Sequence, residues 1–150
     1  QPVLAALGEV GADLFRRLGV EVDHRVSDWG TLVQRRASRE PPDRGGWSMF
    51  HTTWNGLDCI SPGVMTYLRA NGPNAWFGWP DVPRLEELRL SWFDAPDLEA
   101  QKRIAADIQR EVMENAPYLP TGQYFAYTAY RRTITEPVSE VYAFWGVRPA

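Results

Sequence analysis

Apolar residues recur at spacings of three and four positions in two long stretches of this chain, and no other feature limits its fold as strongly. One stretch contains Val3, Leu7, Val10, Leu14 and Leu18, and the other contains Leu98, Ile104, Ile108 and Val112. Such spacing places the apolar side chains on one face of an α-helix, and another element must then cover that face. The sequence therefore predicts an amphipathic helix over residues 3–18 and a second long helix that ends near residue 115.

Capping residues and prolines predict three shorter helices. Ser27 and Asp28 suit the N-terminus of a helix over residues 29–37, and Ser61 with Pro62 suits the start of another over residues 61–70. Pro83 favours the first turn of a third helix over residues 83–93. These helices separate the segments whose patterns indicate strands.

Extended segments are predicted from alternating or two-sided apolar patterns. Residues 20–26 alternate strictly, and residues 47–54 carry apolar side chains on both faces, as a central strand does. The aromatic stretch at residues 118–130 and two short pieces at residues 131–135 and 141–147 are also predicted to be extended. Helices that alternate with strands in this order predict an α/β sandwich with a mixed sheet.

Length and composition exclude several classes of protein. A chain of 150 residues, 44% of them apolar, suits one domain with one core. The net charge of −3 gives no basic surface for nucleic acid, and no apolar stretch reaches the roughly 18 residues of a membrane span. The single cysteine excludes an internal disulfide, and no part of the chain has the pattern of a signal peptide.

Catalytic and metal sites find little support in the sequence. Cys59 and His51 form the one thiol and imidazole pair within a short stretch, yet neither lies in a known nucleophile motif. A small buried thiol is the simpler interpretation of Cys59, and a core imidazole is that of His24. His51, Asp58 and Cys59 lack a fourth metal ligand, and no glycine-rich phosphate loop is present. We therefore expect neither an enzyme, nor a cofactor, nor a metal site.

The seven tryptophans indicate a binding surface. Trp29, Trp92 and Trp145 are expected in the core, and Trp47 on the central strand. Trp54 ends that strand, and Trp76, Phe77 and Trp79 lie in a loop with little apolar scaffold of its own. Together these last four could exceed the apolar patch of about 300–600 Å² that a monomer exposes, so a ligand, a second lobe or another copy should cover them. The neighbouring Asn55 and Asp58 complete the candidate ligand site, in which Asp58 either pairs with a cationic group or caps its loop.

An ordered series of motifs resembles the C-terminal lobe of the dipeptide and oligopeptide class, family 5, of ABC-transporter solute-binding proteins. The motifs cover nearly the whole chain: residues 47–58, Trp76-Phe-Gly-Trp-Pro, Pro83-Arg-Leu-Glu-Glu-Leu, residues 94–105, Ala116-Pro-Tyr-Leu-Pro and Gly122-Gln-Tyr-Phe. The resemblance implies a two-lobed periplasmic protein that closes on a peptide or related small solute and docks on a membrane permease. It also implies that residues 1–150 are one lobe, with the N-terminal lobe and the signal peptide outside this sequence.

The resemblance leaves the solute open. In peptide-binding members, an aspartate shortly after the strand-end tryptophan pairs with the α-ammonium group of the peptide. Here Asp58 follows Trp54 by four residues, and Leu57 occupies the usual spacing, so sugars and nickel complexes remain alternatives to peptides.

Two other functions remain as hypotheses. The chain could be a free-standing module for carbohydrate or aromatic ligands, with Trp54, Trp76 and Trp79 as its whole site. A hydrolase that uses Cys59 and His51 is the other. An uncovered aromatic patch also predicts that the isolated lobe associates with itself.

Overall fold

The computed structural model describes residues 2–135 and 144–150. Residues 141–143 of one predicted extended piece lie outside these ranges. The chain divides into two compact units, Gln1–Trp54 and Asn55–Ala150. The described residues contain four α-helices: α1 (Pro2–Arg17) and α2 (Trp29–Arg36) in the first unit, and α3 (Pro83–Phe93) and α4 (Leu98–Asn115) in the second.

Helix α1 forms where the periodicity predicts it, but it buries a different face. Val10, Leu14 and Leu18 of the predicted stripe are more than half exposed, and the buried positions are Gly8 and Ala12. Added to Gly8, a Cβ atom would lie 2.9 Å from Nε2 of His24 and 3.8 Å from Cδ2 of His51. Gly8 thus leaves room for both imidazole rings. The prediction that the whole apolar stripe is buried is wrong, since only Val3 and Leu7 of it are half-buried.

Helix α2 begins as predicted and anchors the loop that follows it. Asp28 accepts a hydrogen bond from the backbone N–H of Thr31 at 3.0 Å, which caps the helix. From the last turn, the Arg35 guanidinium donates twice to the carbonyl oxygen of Gly46, at 2.7 and 3.0 Å. The Trp47 indole donates to the Arg36 carbonyl at 3.0 Å. Side-chain to backbone bonds therefore close residues 37–46 onto the helix.

The second unit has an apolar core between α3 and α4. Its buried residues come from both helices and from the segment before them: Leu68, Ala70, Leu85, Leu88, Ile108 and Val112. Pro83 lies in the first turn of α3, as predicted, and the Asp97 carboxylate caps α4 by accepting from the Ala100 N–H at 2.7 Å. Ala70 belongs to this core and Val82 packs against it, so the core holds both ends of residues 71–81.

The predicted mixed-sheet α/β sandwich is wrong. The described ranges contain no β-strand, only isolated bridges between Asn71 and Asp81 and between Ile134 and Pro149. A period-two pattern shows which side chains share a face, but a strand also needs a neighbour to pair its backbone groups. None of the backbone hydrogen bonds found in the described ranges pairs residues 20–26, 47–54 or 118–130 with another extended segment.

Two further local predictions are also wrong. Residues 61–70 form turns and one short 3-10 turn, Thr66–Leu68, instead of an α-helix, and the Phe93 ring packs against Gly63. Trp29 and Trp145 were expected in the core but are 44% and 73% exposed. The sequence around these two tryptophans does not indicate which element would cover them.

Candidate functional site

Residues 71–81, here called the aromatic loop, are closed at their base by backbone hydrogen bonds. The N–H of Gly72 donates to the Pro80 carbonyl at 2.9 Å, and that of Val82 donates to the Ala70 carbonyl at 2.8 Å. Asn71 and Asp81 form the antiparallel bridge between these bonds. The loop that carries three candidate ligand-binding residues therefore has fixed ends.

The tip of the aromatic loop, residues 76–79, has a strained backbone. The Trp79 N–H donates to the Trp76 carbonyl at 2.8 Å, and Gly78 has a φ of +100°. Trp79 itself has a φ of +48°, a left-handed conformation that a bulky side chain adopts only where its surroundings impose it. Strain of this kind clusters at binding and catalytic sites, so it supports a functional interpretation of the tip.

The loop tip carries the side chains of Trp76, Phe77 and Trp79. The rings of Trp76 and Phe77 lie 5.2 Å apart between centroids, at an angle of 61°. All three side chains are half-buried instead of fully exposed. Trp54, which is 37% exposed, is the last residue of the first unit.

The two polar candidates belong to another element, the 3-10 turn Gly56–Cys59. Asp58 lies within this turn, and Asn55 directly precedes it. The Asn55 carbonyl accepts a hydrogen bond from the Asp58 N–H at 3.0 Å, and the Asp58 side chain is half-buried. The next residue, Cys59, accepts a hydrogen bond from the Tyr67 hydroxyl at 3.2 Å. The two candidate polar contacts thus belong to a turn that is tied to Tyr67.

Two tyrosines beside this turn were not identified from the sequence. The rings of Tyr67 and Tyr118 meet edge to face at 4.9 Å, and burial raises the pKa of both phenols, so both stay neutral near pH 7. Tyr118 also lines a cavity of about 250 Å³, together with Cys59, Met65, Ile108 and Gln109. The aromatic residues at positions 118–130 predicted an extended segment. No local pattern indicated that Tyr118 would line a cavity.

The residues of the hydrolase hypothesis have other environments. Cys59 is exposed, so the prediction of a buried thiol is wrong, and its hydrogen-bond donor is the Tyr67 phenol, not an imidazole. In the first unit, His51 lies against α1, where a Cβ atom on Gly11 would be 3.2 Å from its Nε2. His24 is exposed, contrary to the expected core position. Among the described hydrogen bonds of the second unit, none joins the Cys59 thiol to a general base.

Residues 2–135 and 144–150 contain neither a candidate metal-binding cluster nor a candidate membrane-spanning helix. No group of three or more His, Cys, Asp or Glu side chains there could hold a metal ion. None of the helices in those ranges is long and apolar enough to cross a bilayer.

Sequence comparison finds a relative of this chain among the periplasmic-binding proteins of peptide ABC transporters. The relative is the probable peptide ABC transporter periplasmic-binding protein of Sinorhizobium fredii, strain NBRC 101917 / NGR234. The two sequences are 35% identical over 127 residues, which is 85% of this chain and 24% of the relative. No model of a known protein family matches the chain.

The resemblance to a family 5 solute-binding protein is therefore confirmed. The chain spans about a quarter of the length of the curated relative that it matches.

Proposed function

We propose that residues 1–150 are the C-terminal lobe of an extracytoplasmic solute-binding component of an ABC importer. The observation that carries this proposal is the 35% identity over 85% of the chain to a periplasmic-binding protein of a peptide transporter. The complete protein would hold a peptide or related small solute between this lobe and an N-terminal lobe, in the periplasm, and deliver it to the membrane permease. It would bind its solute without chemical conversion.

Within this lobe, the proposed ligand contacts are Trp76, Phe77 and Trp79 at the loop tip and Asn55 and Asp58 in the 3-10 turn. The strained and hydrogen-bonded loop tip supports the aromatic contacts, because a preorganised surface loses little freedom when a ligand binds. The half-buried Asp58 carboxylate matches the α-ammonium group of a peptide. Trp54 remains a contact predicted from the sequence.

A two-lobed binding protein depends on closure. Solute that contacts both lobes binds the closed state better than the open state, and this difference shifts the population toward closure. A single lobe retains only part of the contacts, so the isolated chain should bind its solute weakly or not at all.

Calorimetry with tri-alanine tests this expectation on the full-length gene product and on residues 1–150. We expect measurable binding to the full-length protein and a Kd weaker than about 1 mM for the isolated chain, where binding free energy falls below about 4 kcal/mol. Millimolar or tighter binding to the isolated chain would instead favour the free-standing module. Light scattering of the same sample checks the predicted self-association.

Variants of the full-length protein test the aromatic contacts. Trp79→Ala should weaken tri-alanine binding at least tenfold, because buried aromatic anchors contribute about 2 kcal/mol or more. Trp145→Ala is the matched control, since Trp145 is 73% exposed and lies outside the loop. Equal affinities for the two variants would remove the loop tip from the site.

A further inference from the structure

A buried ion pair on α3 differs from the other ion pairs of the described residues. The guanidinium Nη1 of Arg89 lies 2.9 Å from the Glu86 carboxylate, and the two side chains are only 10% and 18% exposed. In each of the other described pairs, both side chains are more than a third exposed. Burial of a carboxylate is unfavourable unless its oxygens are paired, so the position of Glu86 requires a structural reason.

The second oxygen of Glu86 binds the base of the aromatic loop. Oε1 accepts a hydrogen bond from the backbone N–H of Ala70 at 2.7 Å, while Oε2 accepts from Arg89. Ala70 is completely buried, and its own carbonyl accepts the Val82 N–H that closes the loop. Glu86 therefore joins the loop base to α3 through one charge-assisted bond.

The strained loop tip depends on support of this kind. A left-handed tryptophan persists only when the surrounding structure over-determines the backbone, and relaxation of the loop ends would let Trp79 leave that conformation. The connections from Glu86 to Ala70 and from Ala70 to Val82 form a continuous path from the rigid helix to the loop base.

We propose that Glu86, held in place by Arg89, is a positioning residue that fixes the base of the aromatic loop on α3 and thereby orients Trp76, Phe77 and Trp79 toward the solute. The positioning role rests on the proposed function, because the solute contacts are those of the loop tip. The anchoring of the loop is a property of the structure that can be measured without any solute.

Hydrogen exchange followed by mass spectrometry tests the anchor in the full-length protein. Glu86→Ala should accelerate amide exchange in residues 72–82 by about tenfold or more, with exchange in α4 unchanged. The matched control is Glu87→Ala, the neighbouring acidic residue, which is 67% exposed and pairs with Arg84. Unchanged loop exchange in Glu86→Ala would overturn the proposal, and so would equal acceleration in α4, which would indicate general loss of structure.

Glu86→Gln keeps the test decisive if the alanine variant does not fold. The amide retains an oxygen for the Ala70 N–H but loses the charge that Arg89 pairs with, so loop exchange should accelerate by about threefold. Wild-type exchange rates in this variant would contradict the need for a charged anchor.

Affinity for tri-alanine then tests the positioning role. Glu86→Ala should weaken binding by up to about tenfold at a temperature where the variant is fully folded, the same factor as its loop exchange, while Glu87→Ala should stay within twofold of the wild type. A loosened loop with unchanged affinity would overturn the positioning role. If the wild-type protein itself bound no peptide, the proposed function would fail, whereas the exchange experiment would still decide whether Glu86 holds the loop.

Discussion

The two compact units of the chain are stabilised by different means. The described part of the first unit buries only small residues, Gly8, Ala12 and Gly46, and depends on hydrogen bonds from Arg35 and Trp47 to the backbone. The second unit buries leucine, isoleucine and valine between α3 and α4. Helix α1 has as regular an apolar stripe as α4, yet Val10 and Leu14 stay more than half exposed and Val3 and Leu7 are only half-buried. The difference shows that periodicity produces a core only where a second apolar helix faces the first.

The largest expected effect separates the two units directly. Leu85→Ala should lower the free energy of unfolding of the second unit by about 2–5 kcal/mol, because Leu85 is 0% exposed and the change leaves a cavity. Leu14→Ala in α1, at a leucine that is 53% exposed, should change stability by less than about 0.5 kcal/mol. Urea denaturation, with segment-resolved hydrogen exchange, measures both. Similar losses for the two variants would abolish the distinction between the units.

A smaller effect is expected from the tight turn of the first unit. A Cβ atom on Gly46 would overlap the carbonyl oxygen of Glu40, so Gly46→Ala must displace backbone and should cost about 1–3 kcal/mol. Gly56→Ala is the control, since nothing lies within 4 Å of its added methyl group. Exchange in α2 and residues 37–46 reports the loss. A Gly46→Ala protein as stable as Gly56→Ala would show that this turn does not hold the unit.

The smallest effect is a pH dependence confined to the first unit. Burial, and then the charge of His24, lower the pKa of His51 below its ordinary value of 6.5. The folded state thus disfavours protonation, so its stability should be constant above about pH 6.5 and should fall as the pH drops from there through the folded pKa. Urea midpoints between pH 7.5 and 5.5 measure the slope, which His51→Gln should reduce. An unchanged slope in that variant would assign the pH dependence to other groups.

Four of the five predicted helices form in the described ranges, whereas the predicted sheet does not, for one physical reason. A helix satisfies its own backbone, so local information such as the Asp28 cap and the three-and-four spacing can predict it. A strand must pair with another segment, and nothing in residues 20–26 or 47–54 specifies a partner. Even within α4 the spacing predicts a face only approximately, since Ile108 and Val112 are buried while Leu98 is 63% exposed.

The loop at residues 76–79 was predicted from the sequence, but its detailed geometry was not. Glycine and proline around residues 76–79 correctly indicated a loop with clustered aromatic side chains. The left-handed Trp79 and the reach of Glu86 to Ala70 were not predictable, because each depends on backbone geometry that arises only after α3 has packed. Tyr67 and Tyr118 were missed for a similar reason, since they are 51 positions apart in the chain and meet only in the folded unit.

The single, exposed cysteine of this chain gives a direct experimental handle. A maleimide fluorophore would attach at one defined point of residues 1–150, next to Asp58, on the sulfur that accepts a hydrogen bond from the Tyr67 hydroxyl. The label would then lie beside the carboxylate proposed to receive the ammonium group of a peptide. In a complete protein with no other reactive thiol, solute arrival could thus be followed as a change in emission.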